Sequence, residues 1–178
     1  MNQHIKFTAA ALIISLAALP ACRREVGPRE AVAELRDADG GVVGVAILQE
    51  VDDGVRISVS GTNLPPGPRG FHIHETGECT PPTFESAGPH LNPTDAGHGL
   101  ADPKGPHAGD LPNLVVAADG TVEVTVVASG ATLADTGEWS LVAGDGTALV
   151  IHAEADDQIS DPSGGAGDRI ACGVIRRR

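Results

Sequence analysis

Aromatic side chains are scarce in this 178-residue chain, which has no tyrosine, one tryptophan and three phenylalanines. A core without them must be filled by Val, Ile, Leu and Ala. Basic residues are also few, 12 Lys and Arg against 24 Asp and Glu, for a net charge of −12. That balance argues against nucleic acid as a partner and against adsorption to anionic lipid headgroups. Helical periodicity is missing as well: no window keeps apolar residues at 3.6-residue spacing for three turns. Absences therefore point to a small-residue β protein with an acidic surface.

The longest apolar run, Phe7–Leu19, is broken only by Thr8 and Ser15 and follows Lys6. It is too short to span a bilayer comfortably, so a retained transmembrane helix is the weaker reading. Leu19-Pro20-Ala21-Cys22 resembles the lipobox of bacterial lipoproteins, with Pro20 off the usual pattern. Residues 1–21 are expected to be a lipoprotein signal peptide, with Cys22 the lipidated residue and 22–29 a linker. A plain cleaved secretion signal is the alternative. A lipidated cysteine would anchor the domain to a membrane. Arg23 in place of Asp after Cys22 favours the outer membrane, on the periplasmic side of a bacterial envelope. Removing 1–21 leaves 11 basic and 24 acidic side chains, a net −13.

Beyond the linker, short β-type runs alternate with turn signals. Glu30–Arg36, Val42–Gln49 and Val55–Ser60 each read as half-buried strands, separated by Asp39-Gly40-Gly41 and Asp52-Asp53-Gly54. Asn113–Ala117, Thr121–Val127, Ala148–His152 and Arg169–Ile175 follow. Residues 76–112 and 153–168 break the rhythm with Gly, Pro, Asp and His or Ser, and loops so long are usually functional or disordered. The expected fold is all-β, a Greek-key barrel or sandwich of about eight strands with two long functional loops, over 30–176.

Six of the seven histidines fall between positions 72 and 152, and neutral imidazole is the commonest protein metal ligand. His72 and His74 are two apart on a strand, so both side chains share a face. His152 ends another apolar strand and could add a third nitrogen if the strands are neighbours. Such an all-nitrogen site suits copper, with zinc an alternative; a merely solvated His-x-His face is the plainer explanation. His90, His98, His107 and Asp110 offer three imidazoles and a carboxylate, the set a closed tetrahedral zinc accepts. The plainer explanation there is a polar loop with incidental histidines.

Five stretches carry a family resemblance: Gly70-Phe-His-Ile-His-Glu75, Ala87-Gly-Pro-His-Leu-Asn-Pro93, His107-Ala-Gly-Asp-Leu-Pro-Asn113, Val150-Ile-His152 and Gly165–Ile175. In these the chain resembles the copper/zinc superoxide dismutases over roughly residues 30–176. The resemblance implies His72, His74, His90 and His152 as copper ligands, and His90, His98, His107 and Asp110 as zinc ligands. His90 would bridge the two metals. It also implies that Asp156 links His72 to His98, that Arg169 holds the incoming anion, and that Ser163 stands at the channel mouth. Cys79 and Cys172 match the family's disulfide, with two free buried thiols the alternative; if they pair, Cys22 is the one left over.

The implied reaction is dismutation of superoxide to oxygen and hydrogen peroxide, with Arg169 and His90 the catalytic residues. Many relatives carry a lysine in the second long loop, whereas residues 153–168 hold Glu154, Asp156, Asp157, Asp161 and Asp168 and no base. Lys104, Arg69 or Arg176–Arg178 would have to compensate, and weak electrostatic guidance is the expectation. Pro81-Pro82-Thr83-Phe84 replaces a longer insertion of many periplasmic relatives, which leaves a homodimer open. Two other readings compete: a non-catalytic envelope lipoprotein that binds or stores copper, and a zinc-only adhesion sandwich.

Overall fold

A computed structural model describes residues 29–178. The expected signal peptide, Cys22 and all but the last residue of the linker lie outside them. Ten strands form: β1 (Glu30–Asp37), β2 (Val42–Val51), β3 (Gly54–Gly61), β4 (Gly67–Arg69), β5 (Phe71–His74), β6 (Leu114–Val116), β7 (Val122–Ser129), β8 (Ala148–His152), β9 (Arg169–Val174) and β10 (Arg176–Arg177). Among the described residues the one helical element is a single 3-10 turn, Glu85–Ala87. No helix among the described residues is long and apolar enough to cross a membrane.

Alternation explains the first three strands. Ala31, Ala33 and Leu35 of β1, Ala46 and Leu48 of β2, and Val55, Ile57 and Val59 of β3 face inward and are buried, while Glu34, Arg36 and Arg56 face solvent. Asp37 closes the β1–β2 turn, its Oδ1 accepting from the Asp39 and Gly41 amides at 3.1 and 2.7 Å. The antiparallel sheet runs β5-β8-β9-β1-β2-β3-β7, with β10 added on β1. A separate β4–β6 ribbon spans the gap, since β4 leads directly into β5 and β6 contacts β7. The result is a curled Greek-key barrel.

Two details differ from the sequence reading. Strand β4 is built around Pro68, tolerated because its ribbon has only one partner strand. A third long connection, 130–147, joins β7 to β8. It buries Ala131, Leu133 and Leu141 in the main core, so it serves as a lid on the apolar interior.

Two registers matter for the site. β5 pairs with β8, setting His72 opposite Val150 and Phe71 opposite Ile151. The β8–β9 register then shifts between Ile151 and His152, an irregularity of the kind that re-aims a side chain at a strand end. A second, smaller apolar cluster of Phe84, Ala87, Ala148, Val150 and Cys172 lies under the first long loop. Cys79 and Cys172 are disulfide-bonded there, Cα atoms 5.7 Å apart and 93 residues apart in sequence.

Candidate metal centre

Strand β5 supplies His72 and His74, β8 supplies His152, and the loop between β5 and β6 supplies His90, His98, His107 and Asp110. All seven are buried. They assemble as two groups, His72–His74–His90–His152 and His90–His98–His107–Asp110, with the donor atoms of each group within 4.8 Å of one another. His90 belongs to both. Isolated bridges fasten the loop to β5, pairing His72 with Asp110 and His74 with His90.

In the first group each imidazole has one committed nitrogen and one free. His72 Nε2 donates to Asp156 Oδ2 at 2.7 Å, His74 Nδ1 to the Gly88 carbonyl at 2.7 Å, and His152 Nδ1 to the Gly167 carbonyl at 3.1 Å. Those bonds fix the tautomers, so the opposite nitrogens carry lone pairs. His72 Nδ1, His74 Nε2, His90 Nε2 and His152 Nε2 are buried with no hydrogen-bond partner. Four orphaned acceptors converging on one point are costly in an empty protein and satisfied by a cation. The all-nitrogen donor set fits copper.

The second group has the dimensions of a tetrahedral shell. Asp110 Oδ1 lies 2.8 Å from His90 Nδ1, 3.1 Å from His98 Nδ1 and 3.3 Å from His107 Nδ1. Donors bound to one zinc at about 2.0–2.1 Å stand about 3.3 Å apart. One oxygen with two lone pairs cannot serve three imidazoles well, and a cation between them can. The other carboxylate oxygen, Oδ2, is held by the Gly99 and His107 amides at 2.8 and 2.9 Å.

Electrostatics keep these groups in ligand form. Burial pushes His74 far down, His152 to about 3 and His90 to about 4, with neighbouring histidines adding to each shift. The Arg169 charge works in the same direction on His74 and His152. Burial opposes the Asp110 carboxylate, but hydrogen bonds from His90, Gly99 and His107 overcome it and hold the group well below the usual range. Asp156 behaves alike: burial raises it, and the bonds from His72 and His98 more than reverse that.

Asp156 ties the two groups together. Besides His72, it accepts from His98 Nε2, at 3.0 Å on Oδ1. Its own backbone is clamped by Asn113, which donates to Asp156 O at 2.8 Å and accepts from Asp156 N at 2.9 Å. Gly164 allows this approach, because a Cβ there would collide with the Asp156 carboxylate and lie 2.9 Å from His98 Nε2.

Arg169, at the start of β9, is locked by two carbonyls: Nη1 donates to Phe84 O and Nη2 to Gly88 O, both at 2.7 Å. Gly88 thus holds His74 and Arg169 with one oxygen. Its φ of +74° and a Cβ that would sit 3.0 Å from Thr76 Oγ1 leave only glycine there. Ser163 is half-buried in the second loop. Sequence reasoning missed Phe84, Gly88, Gly167 and Asn113. The first three act through carbonyls, which every residue has; Asn113 stood inside a quoted motif without a role.

A sequence model of the family described as copper/zinc superoxide dismutase (SODC) matches residues 42–175. The chain is 51% identical over 148 residues to superoxide dismutase [Cu-Zn] 2 of Aquifex aeolicus (strain VF5), covering 83% of this chain and 86% of that one. It is 44% identical to the superoxide dismutase-like protein YojM of Bacillus subtilis (strain 168), covering 80% and 74%. The Cu/Zn superoxide dismutase structure from Brucella abortus aligns with a TM-score of 0.68 at 32% identity, covering 83% of this chain and 99% of that one. The cofactors this family implies are copper and zinc, and the two donor sets above fit them. On that match and those identities, the chain belongs to the copper/zinc superoxide dismutase family.

Proposed function

We propose that the protein converts two superoxide ions and two protons to oxygen and hydrogen peroxide. His72, His74, His90 and His152 hold copper, and His90, His98, His107 and Asp110 hold zinc. The observation that carries this reading is the sharing of His90, whose Nε2 is free toward one donor set while Nδ1 faces Asp110 in the other. Copper held there would supply the one-electron redox couple the reaction needs.

The protein's own residues do the rest. Arg169 offers a fixed guanidinium to a small anion, because Phe84 and Gly88 leave it no freedom to swing away. His90 Nε2, which would hold either copper or a proton, would supply one of the two protons of hydrogen peroxide, and water the other. Its Nδ1, facing Asp110 in the zinc set, would keep the ring from turning as the proton moves. Asp156 keeps His72 and His98 in one tautomer throughout. Zinc, which has no redox chemistry, secures the loop.

Residues 1–21 act as a signal peptide and Cys22 as the lipid anchor, placing the domain on the periplasmic face of a bacterial envelope. The lipobox-like Leu19–Cys22 supports this. Cys22→Ser should move the protein from the detergent phase to the aqueous one; unchanged partitioning would refute the anchor. A second reading, a copper-binding envelope protein without turnover, is favoured by the relative named only superoxide dismutase-like.

The test is superoxide dismutation by the copper- and zinc-loaded protein beside Arg169→Ala and His90→Ala. Activity that falls sharply in both variants supports the enzyme. A folded, loaded parent no faster than free copper leaves the copper-binding reading.

A further inference from the structure

Beside Arg169 opens a cleft of about 630 Å³, and its charged lining is one-sided. Asp37, Asp39, Glu85 and Asp168 face it, and Arg169 is its only base. Glu85, Asp39 and Asp168 are exposed, and no ion pair among the described residues neutralises them. Asp37 is bonded to turn amides, which leaves its charge in place.

No other base lines the cleft. Arg69 keeps its charge but is tied to the carbonyls of Pro65, Pro66 and Ala153 and does not line the cleft. Lys104 does not line the cleft. Arg176 and Arg177 pair with Val32 and Ala31, whereas the cleft end of β1 is Asp37. Arg36 and Arg176 share a neighbouring pocket with Asp37 and Phe84 but do not line this cleft, and Arg36 is paired with Glu34.

We propose that Glu85 is a specificity-determining carboxylate that opposes anions at Arg169, so that this cleft repels superoxide where a basic rim would gather it. Glu85 is the acid best placed to do so. It follows Phe84, whose carbonyl grips the guanidinium, and the 3-10 turn that begins at Glu85 fixes its position against that grip. Its negative charge pulls the arginine's pKa upward, against the larger downward effect of burial. A guanidinium in a cleft whose other charged lining is all carboxylate is a poor magnet for a diffusing anion. The inference rests on the dismutase reading for its substrate, but concerns anion affinity in general.

The experiment is a spectrophotometric azide titration of the full chain loaded with copper and zinc, at 10 and 150 mM ionic strength. Parent, Glu85→Gln and Glu123→Gln are compared, Glu123 being an exposed carboxylate on β7 that removes the same net charge away from the cleft. Glu85→Gln should bind azide about two- to five-fold more tightly at 10 mM, where the Debye length is about 30 Å, with a smaller gain at 150 mM. Its dismutation rate constant should rise in parallel, and Glu123→Gln should track the parent. Equal azide affinity in Glu85→Gln and parent overturns the proposal, as does a gain that salt leaves unchanged. A parent that binds azide but does not dismute superoxide defeats the functional reading alone, since the azide ratio still decides the role of Glu85.

Discussion

The β1–β2–β3–β7 wall and the loop-built metal centre are held together by opposite means. In the wall, Ala33, Leu35, Leu48, Ile57 and Val59 are removed from water, and continuous pairing satisfies the backbone between them. The centre buries seven ligand-type side chains and Asp156. Its order comes from cross-links: a disulfide, a carboxylate shared by two histidines, carbonyls that grip an arginine, and the two metals of the family. The wall gains stability from what it buries, while the centre gives some up to place polar atoms where chemistry needs them.

Several changes would break or sharpen that contrast. Cutting the disulfide with Cys79→Ser plus Cys172→Ser should cost the most, about 4 to 5 kcal/mol on the chain-entropy model for a loop of this length. Denaturant unfolding measures it, and a loss under about 1 kcal/mol would mean the loop is ordered without it. Ile57→Ala, deep in the wall, should cost about 2 to 5 kcal/mol in the same assay. It should leave the metal affinities of the folded protein unchanged, and a parallel loss of affinity would show the regions to be coupled.

Asp156→Asn should reverse that pattern. Losing the carboxylate between His72 and His98 should weaken metal binding by the folded protein about 10- to 100-fold, read by competition with a chelator, a loss that Ile57→Ala does not share. Acid acts on the same centre through its histidines. His74, His90 and His152 stay neutral in the fold, whereas the unfolded chain takes up protons below about pH 6.5. Apo stability should therefore begin to fall near pH 6.5 and keep falling toward the folded values, near 4 for His90 and 3 for His152. Asp110 and Asp156, shifted the other way, add a loss only below about pH 4. A pH series of denaturant midpoints that is flat down to pH 4 would contradict the buried-neutral histidines. The Arg29–Glu50 pair at the start of the wall, with Arg29 exposed, should matter least, under about 1 kcal/mol on Arg29→Ala.

The same contrast explains what the amino-acid sequence makes legible. β1 to β3 announce themselves because one-sided burial forces period-two alternation, and β5 was visible only through its His-x-His. β4 was hidden by Pro68, and the 130–147 lid by the irregular spacing of Ala131, Leu133 and Leu141, whose burial comes from tertiary packing. The side-chain members of the centre were readable because histidine and aspartate are specialised, and the fold brings every one of them to its group. The grip on Arg169 and the acidic cleft were not, since carbonyls are anonymous and Asp37 and Glu85 meet across 48 positions of chain only after folding.

Anomalous diffraction from crystals of the loaded protein, collected at the copper and zinc edges, tests the shared histidine most directly. The account predicts a copper peak at His72 Nδ1, His74 Nε2, His90 Nε2 and His152 Nε2, and a zinc peak at His90 Nδ1, His98, His107 and Asp110. A single metal position, or a His90 bound to only one of two metals, would contradict it.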